Sequence, residues 1–144
     1  MRKQIIFAAL VGLFAIACNT TGTPVEFAKA CDIENEKKTI EVSGFLDDKG
    51  SLFCSNIGGG NVKCGFRLME NKGDEKTIGA DIEQGSSANN VEKLGSGYKK
   101  EDIKVRDNGG NIINMADKVK LTGQMSTEPK MNVCFLKVSK IEKQ

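Results

Sequence analysis

Residues 53–66, "FCSNIGGGNVKCGF", constrain the fold more than any other stretch of the chain. Gly58–Gly60 form a turn signal between two runs that each carry a cysteine, the mark of a hairpin. The second run sets Val62, Cys64, Phe66 and Leu68 against Lys63, Gly65, Arg67 and Met69, the period-two alternation of a half-buried strand. With Gly59 at the centre of the turn, Cys54 faces Cys64, Phe53 faces Gly65, Ser55 faces Lys63 and Ser51 faces Arg67. Facing Cα atoms in an antiparallel pair lie ~4.5–5.5 Å apart, a span that a disulfide bridges. Cys54 and Cys64 then share the core side with Val62, Phe66 and Leu68. The other side shows one aromatic ring, Phe53, above a glycine and flanked by Lys63 and Arg67.

Most of the chain from Lys37 onward keeps the same period. "TIEVSGFL" places Ile40 and Val42 on one face and Glu41 and Ser43 on the other, and bends at Gly44. "DIKVRD" ends at the turn signal "NGG", and "KVKLTGQM" and "VCFLKVSKI" complete the strand set,. Upstream, "PVEFAKACDIENEKK" reads as a short helix opened by Pro24 in its first turn,. Residues 70–100 are polar and Gly-rich, a long insertion with one short strand expected at Thr77–Ile82. "YKKEDIKVRD" (98–107) mixes charges and reads as a solvated face with Tyr98 packed at its edge.

The N-terminus carries an address. Met1, Arg2 and Lys3 precede the apolar run "IIFAALVGLFAIA", which is shorter than the ~20 residues of a membrane-spanning helix and fits an export signal. Ala15-Ile16-Ala17-Cys18 resembles the lipobox of bacterial lipoproteins, with Ala15 where that family prefers Leu. The resemblance implies a signal peptide over 1–17, lipid on the Cys18 thiol and a tether over 18–23. It also implies a cell-envelope location, the outer membrane being favoured because Asn19 stands where Asp would mark inner-membrane retention. An uncleaved anchor, or an ordinary secretory signal with a chance cysteine, is the alternative.

The 144-residue chain less its first 17 leaves 127 residues, one domain with a real core. Losing Arg2 and Lys3 takes Lys plus Arg from 21 to 19, against 19 Asp plus Glu, so the mature domain is neutral and has no general pull on polyanions. Besides Cys18 there are Cys31, Cys54, Cys64 and Cys134. An even count in an exported chain points to two disulfides, Cys54–Cys64 by register and Cys31–Cys134 by elimination. Zinc is the other reading of four cysteines, and it is disfavoured by the absence of His and of any Cys-x-x-Cys pair,. No metal and no cofactor are implied.

The echo between "TIEVSG" and "KVKLTG", with "VCFLKVSKIEK" as closing strand, resembles the OB-fold and more narrowly the bacterial OB-like lipoproteins, a group without an assigned function. The fold expected over 24–144 is therefore mainly β, a small OB-like barrel with a short N-terminal helix and a long polar insertion. A generic β-sandwich is the alternative.

Catalysis has little support. Without His there is no Ser-His or Cys-His nucleophile,. The carboxylate pairs Asp47-Asp48 and Glu101-Asp102 read as solvated surface, and "IGGG" and "DNGG" lack the Lys and Ser/Thr of a phosphate loop,. Met69, Met115, Met125 and Met131 read as packing,. In the OB-fold the ligand face lies on the second and third strands, which makes Phe53, Lys63 and Arg67 the candidate binding residues. The competing reading of Phe53 is a ring that covers the bare backbone of Gly65. The expected function is a non-enzymatic binding module for an envelope, glycan or host-protein partner. A nucleic-acid- or oligosaccharide-binding OB-fold protein is one alternative, its nucleic-acid form opposed by neutral charge and a single aromatic platform, and a structural envelope protein without a small ligand is the other.

Overall fold

The computed structural model describes residues 21–144; the expected signal segment 1–17 and the candidate lipidation residue Cys18 lie outside the described residues. The regular structure of the described chain is strand apart from short 3-10 turns: β1 (Thr23–Pro24), β2 (Thr39–Asp47), β3 (Phe53–Ser55), β4 (Lys63–Met69), β5 (Thr77–Glu83), β6 (Val105–Arg106), β7 (Ile112–Ile113), β8 (Lys118–Glu128) and β9 (Val133–Lys143). β2 pairs antiparallel with β4 and with β8, β4 with β5, and β8 with β9. The parallel pair β5–β9 closes the ring. The result is a closed five-stranded mixed barrel, β2-β4-β5-β9-β8, consistent with an OB-like fold.

Alternation decides what faces inward. Buried and half-buried residues alternate without a break along β2, β4 and β5, and Ile40, Phe66, Leu68, Ile78, Ile82, Leu121, Leu136 and Ile141 fill the barrel. The two echoing glycines act at bends, as their position implies. A Cβ on Gly44 would overlap the carbonyl oxygen of Met69 across the β2–β4 seam. One on Gly123 would overlap the carbonyl oxygen of Lys137, beside the register shift at Thr122/Gly123 where β8 coils around β9. Close strand approach at a bend admits no side chain.

The expected N-terminal helix is absent from the described residues. Pro24 instead belongs to β1, which lies parallel to β2 with Thr23 opposite Ile40. The segment between β1 and β2 makes two 3-10 turns, Phe27–Lys29 and Ile33–Asn35. Twelve-odd residues are marginal for an isolated α-helix. Here Phe27 and Ala30, three apart, are both buried, which suits the tighter turn that stacks i over i+3. Cys31 is then bonded to Cys134 at the start of β9, 103 residues away, and Cys54 to Cys64 across β3–β4.

The long insertion does contain the expected strand, as β5. Its remainder is less solvated than its composition implies, since Val91 is buried in the core, and the stretch 98–107 is no solvated face, since Ile103 and Val105 are buried there too, with Ile113 beyond it. "DNGG" turns the small β6–β7 hairpin, in which Val105 faces Ile113. Tyr98 is half-buried and its hydroxyl accepts a hydrogen bond from the Leu52 N–H, which ties the insertion to the connection between β2 and β3.

Candidate ligand-binding face

Outward positions of β3, β4, β5 and β9 form one continuous surface. The hairpin register is as the sequence implies: Phe53 opposite Gly65, Cys54 opposite Cys64, Ser55 opposite Lys63. Across β4, Gly65 faces Asp81 and Arg67 faces Gly79. Across β5, Gly79 faces Phe135 and Asp81 faces Lys137. A groove of about 420 Å³ runs over these rows, walled by Phe53, Ile57 and Phe135 and floored by Gly65, Gly79 and Asp81.

Phe53 does not cover Gly65. A Cβ built on Gly65 would have only Asp81 Oδ1 at 3.8 Å and the Phe53 backbone oxygen at 3.9 Å within reach. The Phe53 ring stands clear and is 69% exposed. The covered glycine is Gly79, where an added Cβ would overlap the Phe135 ring. An aromatic laid over a strand glycine is thus present one row away, on β9. The Phe53 ring is left open to solvent.

Lys63 and Phe53 line the same groove. Arg67 does not, and its expected facing residue is wrong. β3 is only three residues long, and the chain turns away through Lys49 and Gly50, both at positive φ. β4 is therefore shared: its first half pairs with β3, and Arg67 lies opposite Asp47 of β2. Arg67 donates from Nε to Asp47 Oδ2 at 3.1 Å and also ion-pairs through Nη2. Lys100 Nζ adds contacts to Asp47 at 3.3 Å and to Asp48 at 3.5 Å. Burial alone would raise the Asp47 carboxyl, but the bonds from Arg67, the Lys49 N–H and Lys100 hold it below the usual carboxylate range. The Asp47-Asp48 pair is accordingly no solvated patch, and Asp48 is buried. Arg67 faces a second hollow of about 510 Å³, separated from the first by Phe135 and Gly79.

The groove also holds a residue that sequence reasoning passed over. Asp81 makes no hydrogen bond or ion pair among the described residues, although it is half-buried. Burial pushes its carboxyl above the usual range, partly countered by the ammonium groups of Lys63 and Lys137. The signal was present in "TIGADIE": Ile78, Ala80 and Ile82 point inward, so Gly79, Asp81 and Glu83 must point out. Ile57, at the hairpin tip, and Phe135 were likewise unmarked; Phe135 stands outside the alternating Cys134 and Leu136. The four cysteines hold each other in two disulfides, and among the described residues no group of three or more His, Cys, Asp or Glu is placed to hold a metal ion.

No family model, curated protein or solved structure matches this chain. Function has to be read from its own residues. The groove presents one open aromatic ring, a carboxylate acceptor, and ammonium and hydroxyl groups from Lys63, Ser51 and Ser55 around a bare backbone floor.

Proposed function

We propose that the chain is a lipid-anchored envelope protein, held through Cys18, whose OB-like barrel acts as a non-enzymatic binding module through the β3–β4–β5–β9 face. The barrel order supports the OB-like part of this reading: the second and third barrel strands in chain order, β4 and β5, are the ones that floor the groove. That is the face on which OB-folds take ligands. The observation that carries the binding role is the Phe53 ring, exposed beside a floor that needs no cover. A ring retained on a surface with no intramolecular task is well placed to be buried by a partner.

Site-specific photo-crosslinking in native cells tests the role. A photoreactive phenylalanine analogue at position 53 should yield an adduct of defined mass. The same analogue at Ile112, which is exposed on β7 and outside the groove, should yield none. Equal labelling from both positions, or none from position 53, overturns the reading. The anchor is tested separately: Cys18→Ala should abolish acyl labelling and release the protein from membranes, and labelling that persists refutes it.

A further inference from the structure

Resting on the reading of this face as a binding surface, we propose that the groove beside Phe53 selects an acidic oligosaccharide. In this arrangement sugar hydroxyls donate to Asp81, the sugar's carboxylate or sulfate lies on Lys63 or Lys137, and a pyranose face packs on the Phe53 ring.

Asp81 is the centre of the inference. It stands on the groove floor between Gly65 on β4 and Lys137 on β9. Several other half-buried carboxylates are ion-paired: Glu142 with Lys120 and Lys140, Asp117 with Lys143, Glu92 with Arg106 and Lys104. Asp81 has no such partner among the described residues, and neither do Lys63 and Lys137. A half-buried carboxylate without a donor loses hydration and recovers nothing for it. Its position makes sense if a ligand supplies the donor.

The charge order across the face narrows the ligand. Lys137 stands opposite Asp81 across β5–β9, and Lys63 lies one outward step along β4 from Gly65, opposite Glu83, so the face carries both signs side by side. A nucleic-acid backbone brings phosphates that accept hydrogen bonds and cannot donate one to Asp81, whereas every ring of an acidic sugar chain carries hydroxyl donors beside its anion. Stacking of successive bases also requires successive rings, and of the two in the groove only Phe53 stands clear of the backbone, Phe135 keeping one face on Gly79 with 40% of its surface exposed. A cationic peptide would meet Lys49, Lys63 and Lys137,. An apolar partner would finish the desolvation of Asp81 without offering it a donor. An acidic sugar brings hydroxyl donors and an anion on the same ring, and meets both signs.

Calorimetric titration of the full chain in a neutral detergent, at physiological salt, tests this with three probes: an oligogalacturonate, a neutral malto-oligosaccharide and a short thymidylate oligomer. The galacturonate should bind tightest. Asp81→Asn should weaken it roughly tenfold, the loss of a charged acceptor, while strengthening the thymidylate by removing a repulsion. Gly65→Ala, whose Cβ meets only ordinary contacts, should abolish galacturonate binding with an unchanged melting temperature. Tighter binding of the thymidylate or of the neutral sugar overturns the assignment, as does a galacturonate affinity that rises in Asp81→Asn. Silence of all three probes alongside a photo-adduct from position 53 also overturns it, and leaves the binding face standing.

Discussion

Two outward carboxylates of the barrel, Asp47 and Asp81, sit in surroundings that push them in opposite directions. Asp47 is held below its ordinary value: burial opposes this, and the bonds from Arg67, the Lys49 N–H and Lys100 overcome it. Its contribution to stability is present above the unfolded value of about 3.9 and is lost as pH falls through the folded value. Asp81 is raised by burial, against the pull of Lys63 and Lys137. Ionising it therefore costs stability as pH rises from the unfolded value through the folded one. Asp47→Asn should destabilise at neutral pH by on the order of 1 kcal/mol, and Asp81→Asn should stabilise there. Both differences should vanish at strongly acid pH. Urea melts across the acid range read the two opposite slopes; slopes of the same sign contradict the placement. The outward direction of Asp81 was legible in the alternation of its strand. Its isolation was not, because that depends on which residues β4 and β9 bring alongside.

At the scale of elements, legibility followed locality. The β3–β4 hairpin was readable to the residue because a glycine turn fixes register over a few positions, and the pairs Phe53–Gly65, Cys54–Cys64 and Ser55–Lys63 all occur. The extrapolation to Arg67 failed where β4 passes from one partner to another, an event with no local mark. The N-terminal segment misled for a related reason: Phe27 and Ala30 satisfy helical and 3-10 spacing alike, and β1 pairing with β2 decides the outcome. The glycines separate closely approaching strands from open floor. Gly44→Ala should cost at least ~1–3 kcal/mol, an overpacking strain, because the obstructing atom is the backbone oxygen of Met69. Gly65→Ala should be near neutral. Comparable losses in denaturant midpoint for the two variants would contradict the seam geometry.

The whole molecule depends on contacts that no local pattern announces. The barrel closes through the parallel β5–β9 pair, and Val91 reaches the core from the polar insertion, as Ile103 and Val105 do from the charged stretch 98–107. Cys31–Cys134 spans 103 residues and fastens the N-terminal turns to β9, whereas Cys54–Cys64 spans 10 and repeats a link that the hairpin already makes. Loop-closure entropy assigns ~4.7 kcal/mol to a link over about 100 residues and under about 3 kcal/mol to the short one. Replacing Cys31 and Cys134 by Ser should therefore lower the melting temperature more than replacing Cys54 and Cys64, and the reverse order would show that the N-terminal turns do not bind the barrel together. What the barrel presents to its surroundings is the open ring of Phe53 and the apolar tip at Ile57, 69% and 84% exposed. Hydroxyl-radical footprinting, comparing the protein in intact cells with the purified protein, tests that claim most directly. The expected result is slower oxidation of Phe53 and Ile57 in the cells with Ile112 unchanged; equal oxidation of Phe53 in both settings would contradict it.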